Sequence, residues 1–325
     1  MSMRPFVASG ASPADLERKA FADDLGYYLR LDPKQLPSRY FYDPLGSALF
    51  EAICHLPWYS ITRAERRLLA AHAAEILRRL SPLPTIVELG PGSGEKMSML
   101  VRAAKSTASL TVHLVDVSSS ALDLATRTLS VHDVKVQRHQ ASYETGLEAL
   151  SRQQRGRTLV LFLGSNIGNF DPPGAAEFLR TIRGALRPAD ALLIGADLLK
   201  PERDLLLAYD DPLGVTAAFN RNLLVRANRE LDADFDIAAF EHRALWNAAE
   251  SRVEMHLVST RSQRVRIEAS RLDLTLEDGE TIWTESSYKY RAEEIVAMLG
   301  HAGFREIDQW IDAPGAFALT LVAAV

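Results

Sequence analysis

The chain has 325 residues, a formal net charge of −5 and one cysteine. Hydrophobic residues make up 47% and charged residues 24%, the balance of a soluble globular protein with a sizeable core, and no basic block is present that would track a polyanion. A lone cysteine, Cys54, excludes an internal disulfide and fits a reducing cytoplasm, while no apolar run approaches the ~20 residues of a membrane span.

The opening "MSMRPFVASGASPADLERKAF" lacks the continuous apolar stretch of a secretory leader. Residues 13–31 and 46–55 are expected as short helices. "TRAERRLLAAHAAEILRRL" (62–80) repeats apolar residues at helical spacing, with Thr62 placed to cap it and Pro82 and Pro84 to stop it. An alternation then begins. Strands are expected at 85–90, 110–118, 134–141, 158–170 and 190–198, with helices in "EKMSMLVRAA", "SSALDLATRTLSV" and "GAAEFLRTIRGAL" between them. The run "TLVLFLGSNIGNF" is apolar on both faces, as a central parallel strand should be. The alternation predicts an α/β fold built on a doubly wound sheet.

After Leu199 the rhythm changes. "ERDLLLAYDDPLGVTAAFNRNLLVRANREL" reads as helix, and two period-two stretches follow, the second carrying "LEDGET" as a hairpin signal. The final "RAEEIVAMLGHAGFREIDQWIDAPGAFALTLVAAV" reads helix, strand, turn, strand, and is expected to add an antiparallel hairpin to the sheet edge. The expected organisation is a core of 62–200 and 288–325, with a second α+β lobe from 1–61 and 201–287.

Residues 88–94, "ELGPGSG", sit between a strand and a helix, where glycines allow a tight turn and close approach of a ligand to the backbone. Glu95 stands where both a Walker A loop and a G-x-G-x-x-G fingerprint would need glycine. Glu88, Gly90, Gly92 and Gly94 form the pattern E-x-G-x-G-x-G, and Asp116 ends the next strand, where an acid suits a ribose diol. Lys96 opens the following helix, as a partner for a ligand carboxylate or as a solvated lysine. The eight histidines contain no HxxxH or HxH pair, so no metal site is expected.

The glycine pattern, Asp116 and the terminal hairpin resemble class I S-adenosylmethionine-dependent methyltransferases. That resemblance implies S-adenosylmethionine as cofactor, with S-adenosylhomocysteine as its product. The usual acid after the third strand is replaced by Ser142, beside Tyr143, so a backbone N–H and the Tyr143 ring are the groups expected at the adenine. More specifically, "YFYDPLGSALFEAICHLPWYSITRAE", "FLGSNIGNF", "AYDDPLGVTAAFNRNLL" and "TESSYKYR", in that order, resemble the histidine-specific methyltransferase family. Members of that family trimethylate the α-amine of histidine to hercynine on the way to ergothioneine. The resemblance implies that Tyr42 lies near cofactor and substrate amine, and that Gly90, Lys96 and Asp116 meet the cofactor. It further implies that Tyr59, Gly164, Asn169 and Tyr209 grip the amino acid's α-amino and α-carboxylate groups. Glu285 and Ser287 are implied at the imidazole, and Met255 as an apolar wall beside it. Asn166 stands where some members carry threonine.

The residue types suit that chemistry. Methyl transfer to nitrogen is an in-line displacement that needs a neutral, aligned amine and no competing water. Tyr42 could carry the amine's proton away or accept a hydrogen bond from the amine. Aromatic faces attract the quaternary ammonium that accumulates with each methyl, by about 0.5 to 2 kcal/mol. Asn169 either caps a turn or offers a donor and an acceptor to an amino acid. Glu285 and Ser287, two apart on a strand, share a face and could serve the two nitrogens of an imidazole, or could lie on an exposed strand face. The expectation is a monomeric cytoplasmic N-methyltransferase acting on a small-molecule amino acid, with no nucleic-acid or membrane partner. The alternatives are methylation of another amino acid or small amine, a nicotinamide-dependent oxidoreductase, and a silent cofactor-binding protein.

Overall fold

The structure is a computed structural model describing residues 13–104, 107, 110–151 and 156–325; the first twelve residues of the stretch read for a leader lie outside it. The described chain opens with α1 (Pro13–Tyr28) and a short β1 (Lys34–Gln35). Next, α2 (Pro44–His55) starts where the Asp43 carboxylate accepts the Gly46 N–H at 2.7 Å, with Pro44 at the first helical position, where a missing N–H costs nothing. In α3 (Ser60–Leu80) the cap position is Tyr59, not Thr62, which lies within the first turn. The buried stripe of α3 includes Ile61, Ala64, Leu68, Leu69 and Ile76, and one carboxylate, Glu65.

The alternation follows as β2 (Thr85–Leu89), α4 (Glu95–Ala103), β3 (Thr111–Asp116), α5 (Ser119–Leu129), β4 (Lys135–Gln140), α6 (Tyr143–Ser151), β5 (Thr158–Phe162), α7 (Pro172–Ala185) and β6 (Ala191–Asp197). Two differences from the sequence reading have local causes. Ser142 starts the unexpected α6: its Oγ accepts the Thr145 N–H at 3.3 Å and its carbonyl accepts the Gly146 N–H at 2.9 Å. The apolar run 158–170 is not one strand. It leaves the sheet after Phe162 because Gly164 (φ 80°) and Ser165 (φ 62°) adopt left-handed conformations, and Asn166–Asn169 then winds into a 3-10 turn.

Two helices, α8 (Glu202–Tyr209) and α9 (Val215–Leu231), replace the single helical stretch expected after Leu199. The Asp211 carboxylate divides them by accepting the backbone N–H groups of Leu213, Val215 and Thr216. Five strands come next: β7 (Phe240–Asn247), β8 (Arg252–Ser259), β9 (Gln263–Ile267), β10 (Leu272–Leu276) and β11 (Thr281–Tyr288). "LEDGET" does not join paired neighbours. β10 pairs with β9 in a two-stranded sheet, whereas β11 lies between β1 and β8 in a sheet of order β1-β11-β8-β7. The chain closes with α10 (Ala292–His301), β12 (Phe304–Asp312) and β13 (Phe317–Ala324).

The main sheet has seven strands in the order β12-β13-β6-β5-β2-β3-β4. Strands β2 to β6 run parallel, and β13 is antiparallel to both β6 and β12. This is the doubly wound sheet of class I methyltransferase type with the antiparallel C-terminal hairpin. Every residue of β5 and β6 is buried, the signature of central strands covered on both faces.

The chain divides into two compact units. One comprises Met1–Phe41, Ala217–Arg243 and Met255–Glu285; the other comprises Tyr42–Thr216, Ala244–Glu254 and Ser286–Val325 and contains the seven-stranded sheet. This differs from the expected core and lobe, since α2 and α8 fall with the sheet. Within the sheet's unit, Lys200 ties three segments together by donating to Ser60 Oγ (3.3 Å), Asp197 Oδ1 (2.6 Å) and the Gly315 carbonyl (2.7 Å).

Sheet and α3 meet closely at Gly195 of β6, where an added Cβ would run into Glu65 Oε1 and the Phe317 ring. Gly195→Ala is expected to destabilise the protein by about 1–3 kcal/mol through overpacking. Urea denaturation checks this; a midpoint equal to the parent's would show that Glu65 moves aside without cost.

Candidate active site

The turn between β2 and α4 is built on three glycines with positive φ: Gly90 (72°), Gly92 (51°) and Gly94 (75°). Space differs sharply among them. A Cβ at Gly94 would fall 2.7 Å from the Ala125 backbone, and one at Gly90 would fall 2.7 Å from the Tyr143 hydroxyl and 3.2 Å from Asn166 Nδ2. A Cβ at Gly92 would meet nothing within 4 Å, so the turn presents open backbone there.

Two acids flank this turn. Glu88, on β2, is 1% exposed, and its Oε2 has no hydrogen-bond partner among the described residues. Burial pushes its carboxyl up to about 8, against the opposing pull of Lys96. Asp116 ends β3, where its Oδ1 accepts the Ser118 N–H at 2.8 Å; burial outweighs that bond and holds the carboxyl at about 6. An orphaned buried acceptor, an open glycine turn and an acid on the neighbouring strand together fit a ligand that carries both a cationic amine and hydroxyls. Tyr143 contributes its hydroxyl over Gly90, while its ring lies edge-on to Phe162 at 5.7 Å. Ser142 Oγ is engaged in the start of α6, and the residue is exposed.

Lys96, on α4, is held by Glu65, Nζ to Oε2 at 2.6 Å. Burial works against its charge, yet the Glu65 carboxylate outweighs burial and raises the ammonium above its ordinary value. Both Glu65 oxygens also accept the Gly164 N–H, at 2.8 and 3.0 Å. Asn166 lies between the two loops. Its Nδ2 is 3.2 Å from the Cβ position of Gly90, and its Oδ1 is 3.6 Å from that of Gly164.

The tyrosines expected at an amine form a row. Ring centroids run Tyr42 to Phe50 at 5.7 Å, Phe50 to Tyr59 at 6.4 Å, and Tyr59 to Tyr209 at 6.4 Å, each pair edge-to-face. Tyr59 and Tyr209 are buried and Tyr42 is half-buried. The row ends in hydroxyls, with Tyr209 Oη donating to Ser287 Oγ at 2.7 Å. Beside that pair, a Cβ at Gly168 would lie 3.5 Å from Ser287 Oγ and 2.7 Å from the Tyr288 carbonyl. The turn holding Asn166 and half-buried Asn169 therefore packs directly on the end of β11.

Met255 and Glu285 belong to the other unit. Met255 is buried on β8, and its carbonyl accepts the Thr284 hydroxyl at 2.9 Å. Glu285 is half-buried on β11, and its carbonyl accepts the Trp283 Nε1–H at 2.9 Å. The strict alternation read for β11 lapses here, since Glu285 and Ser286 are both half-buried and Ser287 and Tyr288 both buried. No cluster of three or more His, Cys, Asp or Glu suited to a metal occurs among the described residues.

Three polar residues that the sequence reading did not single out occupy the centre of this region: Glu65, Asp197 and Lys289. Their signal in the sequence is slight but physical. Glu65 is a charge on the apolar stripe of α3, and Asp197 closes an otherwise apolar β6.

The raised Glu88 carboxyl has a consequence for stability. Its unfolded form titrates near 4.5 and its folded form at about 8, so between those values the folded protein holds one proton more. The stability from this group is full below pH 4.5 and is lost as pH rises through about 8. Glu88→Gln cannot ionise, so its stability relative to the parent is expected to grow from pH 5 to pH 8 in urea titrations without added ligand. A constant difference across that range would refute the raised value.

Residues 21–324 match the family described as histidine-specific methyltransferase, SAM-dependent. The chain is 43% identical over 313 residues to the histidine N-alpha-methyltransferase of Mycobacterium tuberculosis, covering 95% of this chain and 96% of the relative. It is 42% identical over 311 residues to the protein of the same name from Mycolicibacterium smegmatis, covering 95% and 96%. Ergothioneine biosynthesis protein 1 of Neurospora crassa is 29% identical over 289 residues, covering 86% of this chain and 32% of that longer protein. The chain thus belongs to the S-adenosylmethionine-dependent, histidine-specific methyltransferases, and S-adenosylmethionine is its methyl donor.

Proposed function

We propose that this enzyme methylates the α-amine of L-histidine three times in succession, giving the betaine hercynine, the first step toward ergothioneine. The observation that carries this reading is the row Tyr42, Phe50, Tyr59 and Tyr209 ending on the Ser287 hydroxyl. The names of the mycobacterial and fungal relatives support the substrate and the route. A single cysteine supports a cytoplasmic setting, and no helix among the described residues is long and apolar enough to cross a membrane.

The residues assigned to the cofactor are Glu88, Gly90, Gly92, Gly94, Lys96, Asp116, Ser142 and Tyr143, with Tyr42 beside its reactive end. When bound, S-adenosylmethionine supplies an electrophilic methyl group on a sulfonium. Glu88 offers its unpartnered oxygen to the cofactor's amine, and Asp116 offers its carboxylate to the ribose hydroxyls. Lys96 is assigned the carboxylate end, and Gly92 leaves room for the backbone to approach. With Ser142 Oγ engaged in a helix cap, its backbone N–H is the group assigned to the adenine edge.

The α-amine of a free amino acid is mostly protonated at neutral pH, so it must lose a proton before every transfer. The Tyr42 hydroxyl is assigned the amine, accepting its N–H and aiming its lone pair. Tyr59 supplies an aromatic face that holds the amine through all degrees of methylation, including the last, which has no N–H to donate. Asn169, Gly164 and Tyr209 are assigned the α-amino and α-carboxylate groups, with Asn166 steadying the loop between them. Glu285, Ser287 and Met255 are assigned the imidazole. Removing one such hydrogen-bonding group would cost the enzyme its discrimination against analogues without ring nitrogens.

Mass spectrometry of the purified enzyme with S-adenosylmethionine and a pool of the twenty amino acids tests the reading. Histidine heavier by three methyl groups is the expected product; methylation of a different amino acid would overturn the substrate and keep the reaction. Tyr42→Phe separates the two roles open to that hydroxyl. Loss of a hydrogen bond alone lowers turnover by about 3- to 10-fold, whereas loss of a proton acceptor lowers it by about 100-fold or more. Unchanged turnover would remove the hydroxyl from the mechanism.

A further inference from the structure

Behind the Tyr209–Ser287 pair lies a buried charge cluster to which nothing above assigns a role. Lys289 is fully buried, and its Nζ donates to Tyr209 Oη at 2.9 Å and to Ser287 Oγ at 2.8 Å. Its third partner is Asp197 Oδ2 at 3.2 Å, so all three ammonium hydrogens have an acceptor. Asp197 itself is shared. Its Oδ1 is taken by Lys200 at 2.6 Å, and its backbone N–H donates to Ser165 Oγ at 2.9 Å. The next acid, Asp312, is spent on Arg67, which donates to it twice at 2.7 Å.

The charges do not balance. Three cations, Arg67, Lys200 and Lys289, face two carboxylates, Asp197 and Asp312. A surplus positive charge in a buried setting is costly unless an anion completes it. Arg67 is half-exposed and Lys200 reaches the Gly315 carbonyl, so the surplus is least relieved at Lys289. From there it is delivered in one direction, into the oxygens of Tyr209 and Ser287. The Tyr209 proton is donated to Ser287 Oγ, so the ammonium-polarised donor left for an anion is the Ser287 hydroxyl, or Tyr209 once Ser287 turns to donate back to it.

We propose that Lys289, clamped by Asp197, is a positioning and specificity residue for the substrate's α-carboxylate, making a free carboxylate a requirement of the enzyme. It touches no substrate atom. It fixes the Tyr209 and Ser287 hydroxyls and supplies the positive charge that the carboxylate completes. Amines, amides and peptides blocked at this end are then rejected although their amine could still reach Tyr42. The inference rests on Tyr209 meeting the carboxylate, as assigned above.

The test compares an amino acid with its neutral amide. Calorimetric binding of L-histidine and L-histidinamide is measured with S-adenosylhomocysteine present, for the parent, Lys289→Met and Asp197→Asn. The parent is expected to prefer the carboxylate. Lys289→Met should weaken histidine by about 10- to 100-fold more than histidinamide, so that the preference collapses; a smaller loss common to both is the part that reaches the imidazole through Ser287. Asp197→Asn keeps the lysine and should keep or raise the preference. Equal losses for both ligands in Lys289→Met would reduce the lysine to packing and overturn the proposal. Binding of S-adenosylhomocysteine reports whether each variant is folded. If Lys289→Met does not fold, Asp197→Asn decides, because loss of the preference there would also overturn it. If the parent methylates a different amino acid, that acid and its amide replace the histidine pair, so the two readings fail separately.

Discussion

The Glu65 carboxylate, fully buried on α3, accepts the Gly164 N–H with both oxygens and holds Lys96 at 2.6 Å. Through that one group the helix before the sheet, the helix after the glycine turn and the loop after β5 are fixed relative to one another. Gly195 of β6 leaves the space the carboxylate occupies. Removing one partner of such a pair typically costs 3–5 kcal/mol, because the other is left buried and charged, yet replacing both with apolar groups is often neutral. Global stability is therefore a weak reason for the arrangement. What an apolar replacement would lose is direction. The carboxylate both accepts from the left-handed Gly164 backbone and sets Lys96 beside it, and these are the groups that border both the glycine turn and the turn carrying Asn166 and Asn169.

Two costly buried groups sit within the unit that contains the main sheet, one an acid and one a cation. The Glu88 Oε2 has no hydrogen-bond partner among the described residues, and burial keeps the carboxyl protonated up to about pH 8. At the end of the aromatic row, Lys289 holds its charge although burial works against it, because the Tyr209 oxygen and Asp197 outweigh that burial. Both are costly when considered without ligand. In the proposed function each is completed by a different ligand, Glu88 by the cofactor's amine and Lys289, through Tyr209 and Ser287, by the substrate's carboxylate, so each disfavours an analogue that lacks that group.

The sheet was largely legible in the sequence because its strands obey one rule. Strands covered on both faces read as continuous apolar runs, as "LVLF" and "ALLIGA" do. The rule failed at "GSNIGNF", where the apolar run outlasted the strand. Glycine and serine at 164 and 165 were the signal, and two successive left-handed residues are a backbone event that side-chain periodicity does not record. It failed again at "LEDGET", since turn chemistry predicts a reversal but not which strand the chain pairs with afterwards. For the candidate site, the tyrosines and glycines were visible as motifs. Their supporting charges were not. A buried lysine at 289 and an aspartate at 197 are 92 positions apart, and the parallel bridge between Leu198 and Tyr290 brings them together.

In the proposed mechanism, tyrosine rather than carboxylate at the amine follows from what the reaction requires at each turn. A carboxylate beside the α-amine would hold the ammonium with a charged hydrogen bond of about 1.5–3 kcal/mol. At 1.36 kcal/mol per pKa unit that raises the amine by about one to two units, and lowers the neutral, reactive fraction by about 10- to 100-fold. The penalty would recur before each transfer that needs deprotonation. After the last transfer the product carries a fixed charge, and a carboxylate partner would then retain it. An aromatic row lessens both faults. It attracts each charged form through ring faces by about 0.5 to 2 kcal/mol, so it raises the amine less than a carboxylate would and retains the product more weakly. The edge-to-face contacts from Tyr42 to Tyr209 hold those rings at fixed angles. In the proposed mechanism charge sits instead behind the far end of the row, on Lys289, which acts through Tyr209 and Ser287 on the part of the substrate whose charge stays the same throughout.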